Sequence, residues 1–199
     1  MTKLEIINLS LLHLGQSAIT QTQLTDNVIP SAIVANVFWE PCRDEVLGES
    51  NWSFATVTHT LSSLDIEDSE WAKCYSYPTL SVSNMWFVFN TFTYDKKSEQ
   101  EFTRRHIVTL GVSVIFSDLE NAIAEYTYKV TDTLLWDNKF NMAMSYRLAS
   151  SMALPLGADV DKGLKLLSIA NTILGEAKRL NSSEKTRVPD QPQRYIDAQ

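Results

Sequence analysis

Apolar residues recur at steps of three and four near both ends of the chain and at steps of two through its middle, which predicts helical flanks around a strand-forming centre. Thr2, with Glu5 three residues on, sets up a capping box, and Leu4, Ile7, Leu11 and Leu14 share one face of a first helix over 2–15 that Gly15 stops. Residues 16–29 read as a polar connector. Pro30 and Ser31 open a second helix to about residue 49, in which Val34, Phe38, Cys42 and Val46 repeat every fourth position. Pro41 lies inside that pattern, where it removes a backbone hydrogen bond, so a kink or break near Glu40 is expected. Trp52 and Phe54 follow directly and are expected in the core.

From residue 55 to residue 130 the β-branched and aromatic content predicts strands over 86–94, 103–110, 112–116 and 122–130. Gly111 is the one glycine of that segment, so its turns are weakly marked. Helical spacing returns near Asp137: Phe140, Met144, Leu148, Ser151 and Met152 predict a third helix ending around Pro155 and Gly157. A fourth starts after Asp159 or Asp161, with Leu164, Leu167, Ile173, Leu174, Ala177 and Leu180 inward and Lys165, Glu176, Lys178 and Arg179 in water. The expected fold is α+β: a discontinuous four-helix bundle of residues 1–54 and 131–181, two N-terminal plus two C-terminal helices. It carries a β-rich insertion over 55–130 and an extended, polar C-terminal arm over 182–199.

At 199 residues the chain is long enough to bury a core of its own, and 44% hydrophobic against 21% charged residues is a globular composition. No apolar run approaches the roughly 18 residues that a membrane span requires. The start, Met1 to Glu5, lacks the basic and then apolar pattern of a secretory signal, so synthesis in the cytoplasm is expected. Cys42 and Cys74 stand outside any zinc-type spacing, and no metal or cofactor is expected. A net charge of −7 argues against a surface built to grip phosphates.

Catalytic motifs do not emerge: there is no HExxH, GxSxG or Walker-type loop. His13, between Leu12 and Leu14, reads as an edge histidine of the helices. Carboxylate pairs such as Glu45 with Glu49, or Asp65, Glu67 and Asp68, could in principle serve glycoside hydrolysis, but nothing marks them out. Arg104, Arg105 and His106 read as the solvent face of a strand or as a partner-binding patch.

One ordered set of residues does carry a resemblance. Leu4, Ile6, Asn8, Leu11, Leu14 and Gly15 are followed by Ala35, Asn36, the Phe38-Trp39-Glu40-Pro41 run, Arg43 to Leu47, then Trp52, Phe54 and Ala55. Residues 75–78, 128–132 and 135–137 continue it, as does 140–156 with Arg147, Leu148, Ala149 and the Ala153-Leu154-Pro155-Leu156 run. This order resembles the tail tubular protein A family, the head-to-tail adaptors of short-tailed phages, over roughly residues 2–179 but not through the middle of the β region.

The resemblance implies a non-enzymatic virion protein of the neck. It would form a ring of itself, a dodecamer in that family, between the portal protein and the tail nozzle protein, with double-stranded DNA passing through unbound and no membrane partner. It further implies a portal-binding arm, for which Lys185, Arg187, Val188, Arg194, Tyr195 and Ile196 are the candidates. Trp39 and Arg43 are candidates for ring contacts or, alternatively, for core. The other functional class left open is a phage-borne peptidoglycan hydrolase.

Overall fold

A computed structural model describes residues 1–90 and 101–185. Its helices are α1 (Lys3–His13), α2 (Gln21–Asp26), α3 (Pro30–Gly48), α4 (Asn138–Ala153) and α5 (Val160–Lys185). The strands between α3 and α4 are β1 (Thr56–Thr60), β2 (Ser63–Leu64), β3 (Lys73–Ser76), β4 (Ser81–Asn90), β5 (Phe102–Ile107), β6 (Val112–Ser117) and β7 (Ala122–Tyr128).

Helix ends follow local chemistry. The Glu5 N–H donates to the Thr2 hydroxyl while the Thr2 N–H donates to the Glu5 carboxylate at 2.8 Å, the reciprocal capping box. Gly15, at φ +75°, closes α1: its N–H reaches the Leu12 carbonyl and the Gln16 N–H the Leu11 carbonyl. Gly157, at φ +78°, ends the turn after α4 in the same way, with the Ala158 N–H on the Ala153 carbonyl. Thr20 and Gln23 make a second capping box and start α2 inside the segment expected to be connector. The Asn8 and Asn36 amides hold that segment down: Asn8 exchanges two hydrogen bonds with the Ile19 backbone, and Asn36 donates to the Leu24 carbonyl.

α3 runs through Pro41 without a break. The carbonyl that Pro41 cannot serve belongs to Val37, four residues back, and both residues lie on the exposed side of the helix. A carbonyl released towards solvent is satisfied by water, so the proline is tolerated.

The four-helix bundle with a β insertion is not what forms. The described chain is a mixed fold with five helices and seven strands in two antiparallel sheets. Helical spacing identifies faces but not neighbours, and here α1, α3 and α5 each pack on α4 instead of closing a ring of four. Nor is the main core purely helical: Trp52, Ala55, Val130 and Trp136 lie in it, and Val82 and Tyr128 pack against it from the strands. α3 also meets β4 directly.

One sheet has the order β1-β7-β4 and the other β2-β3-β6-β5. In the first, β7 is central, with Thr56 opposite Thr127 and Val88 opposite Ala124. A second core joins the two sheets through Val88, Ala122, Ala124 and Tyr126 on one side and Tyr75 and Ile115 on the other. A third, small cluster of Cys74, Val114 and Phe116 is covered by Leu64, Ile66 and Trp71. β1, β2 and β3 are absent from the sequence expectation because they are short, with β1 and β2 exposed along much of their length. Of the strand expected over 86–94, residues 91–94 lie outside the described residues. Of the arm expected over 182–199, residues 182–185 belong to α5, and residues 186–199 lie outside the described residues.

Two glycines of α5 have opposite settings. A Cβ on Gly163 would sit 3.3 Å from the Ala153 Cβ on α4, whereas one on Gly175 would meet nothing within 4 Å. A mid-helix glycine is worth about 1 kcal/mol less than alanine. Gly175→Ala should therefore raise the urea midpoint, and Gly163→Ala should lower it because Ala153 is fixed on a helix backbone. Equal shifts in equilibrium unfolding would contradict this packing.

Candidate functional site

The residues that carry the family resemblance converge on one aromatic cluster. Phe140 receives Trp52 at 5.1 Å, Phe54 at 5.0 Å and Trp136 at 5.0 Å, each edge-on. Trp136 in turn stacks on Trp39 with centroids 6.0 Å apart. The indole N–H groups are satisfied, Trp52 donating to the Val46 carbonyl and Trp136 to the Val130 carbonyl.

Trp39 and Arg43, the ring-contact candidates, are both buried, at 4% and 2% exposure. Side chains so enclosed offer almost no surface to a neighbouring subunit, so both serve the core in this chain. They lie with Ala35 and Val46 on the face that α3 turns inward.

Arg43 is the one charged residue among the described residues that is buried. Its Nε donates to Asp44 at 2.8 Å and Nη1 stands 3.7 Å from Glu40, while Nη2 has no hydrogen-bond partner. Lys129, just after β7, reaches the same Asp44 at 2.9 Å. Burial acts to raise the Asp44 pKa, but hydrogen bonds from Arg43 and Lys129 and their charges outweigh it and hold the carboxyl below its usual range. The pair thereby ties α3 to the end of the first sheet.

Three of the five carboxylates considered for hydrolysis are ion-paired. Glu45 is paired with Arg147, Glu49 with Lys178 at 2.8 Å, and Asp68 with Arg105 at 2.7 Å. Arg105 also binds Glu70 at 2.5 Å and lies over the Phe116 ring, clamping the 65–72 loop onto β5. Arg104 stacks on Tyr77 at 4.0 Å, and His106 stands beside Ser113 at 3.5 Å. His13 stacks on Tyr146 at 3.9 Å beside Ser145, and burial lowers its pKa. Cys42 and Cys74 are buried free thiols. Among the described residues no cluster of three or more His, Cys, Asp or Glu is placed for a metal, and no helix is long and apolar enough to cross a membrane.

The arm candidates Arg187, Val188, Arg194, Tyr195 and Ile196 lie outside the described residues, and Lys185 is the last residue of α5. Asn181 secures the C-terminal part of that helix: its amide accepts from the Ser53 N–H at 2.7 Å and donates to the Asn51 carbonyl at 2.8 Å. Sequence reasoning passed over this residue, because a buried polar anchor has no periodic signature.

It also passed over the outward apolar residues. Ile33 and Val37 on α3 are exposed, Val37 at 62%, with Pro41 following on the same side. Leu164 and Leu180, assigned inward by the expected stripe of α5, are exposed instead. A helical projection of α3 carries the signal, since Ile33 and Val37 fall opposite the Ala35, Trp39 and Val46 face.

Two predictions follow from burial and charge. Trp39→Ala should destabilise the isolated chain by about 3–5 kcal/mol, read from urea unfolding, where a surface contact residue would leave the midpoint unchanged. The lowered Asp44 pKa means the unfolded chain binds that proton more readily, so the contribution is present above the ordinary carboxylate range and lost as pH falls towards the folded value. Asp44→Asn should flatten the loss of stability in that acid window, and an unchanged pH profile would contradict the pairing.

Compared with known proteins, the chain matches no family model and no curated protein sequence.

Proposed function

We propose that this chain is a virion structural protein of the tail tubular protein A type, a head-to-tail adaptor. It forms a ring between a portal protein and a tail nozzle protein and leaves a passage for double-stranded DNA. The observation that carries this reading is the ordered residue set resembling that family. Its aromatic members Trp39, Trp52, Phe54, Trp136 and Phe140 are brought together in a single cluster. Its polar members also have defined places: Asn8 and Asn36 hold the 16–29 segment, and Arg147 pairs with Glu45. A scattered set would have weakened the resemblance.

Charge is in keeping with a DNA passage. Each copy brings a net −7, and a ring of such copies repels a polyanion and lets it slide instead of adhering. The C-terminal residues Arg187, Val188, Arg194, Tyr195 and Ile196 supply the combination of charges and one aromatic anchor suited to docking on the portal.

Mass spectrometry of purified phage particles should recover this chain in fixed stoichiometry with the portal protein. Deleting residues 186–199, which leaves α5 whole, should keep the thermal transition and abolish co-purification with portal rings. Retention on the portal after the deletion would reject the arm assignment. A peptidoglycan zymogram with a clearing band lost on substitution of one glutamate would replace the adaptor reading by hydrolysis.

A further inference from the structure

Between β3 and β4 the chain crosses from one sheet to the other. The Tyr77 N–H donates to the Ser113 carbonyl at 3.2 Å, which carries the β3–β6 pairing one residue further, and the Ser81 N–H reaches back to the Pro78 carbonyl at 3.3 Å. Beside this crossing stands the β5–β6 hairpin, closed by Gly111 at φ +66° with its N–H on the Ile107 carbonyl. A cleft of about 720 Å³ lies there, lined by Tyr77, Pro78 and Thr79 from the crossing and by Arg104, Leu110 and Val112 from the hairpin. We propose that this cleft receives the end of the same chain, with Tyr195 and Ile196 seated against Leu110 and Val112 and Asp197 paired with Arg104. The contact is internal to one chain and does not depend on the adaptor reading.

Charge selects the occupant. Arg104 lies 4.0 Å over the Tyr77 ring and has no carboxylate within ion-pairing distance among the described residues, whereas the neighbouring Arg105 holds both Asp68 and Glu70. Leu110 and Val112 beside it are exposed, at 59% and 42%. A cation set among uncovered apolar side chains fits a segment in which an acid directly follows apolar residues, and Tyr195-Ile196-Asp197 has that order. At the rim, Asp65 and Glu67 flank Ile66, another lining residue, and neither is ion-paired among the described residues. Arg194, on the other side of Tyr195 and Ile196 from Asp197, supplies the cation for that rim.

Reach makes the contact possible within one chain. Asn181 bonds the backbone at residues 51 and 53, just before Thr56 opens β1. Thr56 pairs with Thr127 of β7, and Ser81 at the end of the crossing pairs with the next residue, Tyr128. With up to ~3.6 Å per residue along the chain, ~4.8 Å between strands and ~1.5 Å per residue along α5, Lys185 stands within about 35 Å of Ser81. Residues 186–194 include Pro189 and Pro192, which favour an extended course, and at ~3.1 Å per residue they carry the chain about 28 Å before Tyr195 begins. The prolines thus act as a stiff spacer that delivers the Tyr195-Ile196 pair to the cleft at modest entropic cost.

Limited trypsin digestion of the purified full-length chain, followed by intact mass, tests the contact. Arg187 lies in the spacer and Arg194 at the seat, so the initial rate of cutting after Arg194 should be about fivefold or more below that after Arg187. Arg104→Glu, Asp197→Arg and Leu110→Asp should each bring the two rates together with the thermal transition retained, and the chain carrying both Arg104→Glu and Asp197→Arg should regain the protection. A Thr79→Cys, Ala198→Cys chain should close a disulfide under mild oxidation, the native Cys42 and Cys74 being buried. Closure should be independent of protein concentration and about tenfold faster than in a Val37→Cys, Ala198→Cys chain, where the partner thiol sits on the solvent side of α3. Equal cutting after Arg187 and Arg194 in the wild-type chain overturns the inference, as does a disulfide that forms no faster than in the α3 control. Protection that survives both Arg104→Glu and Leu110→Asp overturns the choice of cleft, and a disulfide that joins two chains overturns the choice of occupant.

Discussion

The contact on which the rest of this molecule depends is the meeting of Phe140 with three other rings. Trp52, Phe54 and Trp136 approach it edge-on within 5.1 Å, and Trp136 passes the contact on to Trp39. These residues come from α3, from the turn leaving it, from the approach to α4 and from α4 itself. Large rings bury much apolar area for few rotatable bonds, so one cluster can fix four chain segments at modest entropic cost. Every path between the helical part and the sheets passes within a few residues of it.

Polar anchors then set what the cluster leaves free. Lys129 and Arg43 share Asp44, which fixes the exit of β7 against α3. Asn181 bonds the backbone at residues 51 and 53, which fixes the C-terminal part of α5 beside the turn that follows α3. Asn8 and Asn36 do the same for the segment containing α2. The asparagines replace water on backbone groups of irregular or helix-end segments, a requirement wherever such a segment becomes enclosed. Arg43 is thus buried and held by Asp44, with its Nη2 left without a partner.

Several charged side chains that looked reactive in the sequence are engaged within the fold. Glu45, Glu49 and Asp68 are each held by a cation, and Arg105 by two carboxylates. What remains outward on the long helices is shape and low-density charge: Ile33 and Val37 on one, Leu164, Gly175 and Arg179 on the other.

How much of this was legible in the sequence follows from the range of the forces involved. Local rules act within a few residues, so the capping box at Thr2, the stop at Gly15, the proline start of α3 and the inward Phe140, Met144 and Leu148 could be read directly. α2 escaped because one buried leucine makes no period, and β1 to β3 because such short strands take their stability from the strands beside them. Leu164 and Leu180 were assigned inward because an apolar residue looks the same from either side until its neighbours are known. The sequence by itself determined where the long helices lie and that Trp52 is buried. Only the tertiary structure decided that α4 is the common partner of the other helices, that two sheets share the core, that Trp39 and Arg43 face in, and that Ile33 and Val37 face out. Those choices depend on contacts between residues as far as 148 positions apart, as in the bond from Lys162 to the Leu14 carbonyl, and no local pattern encodes them.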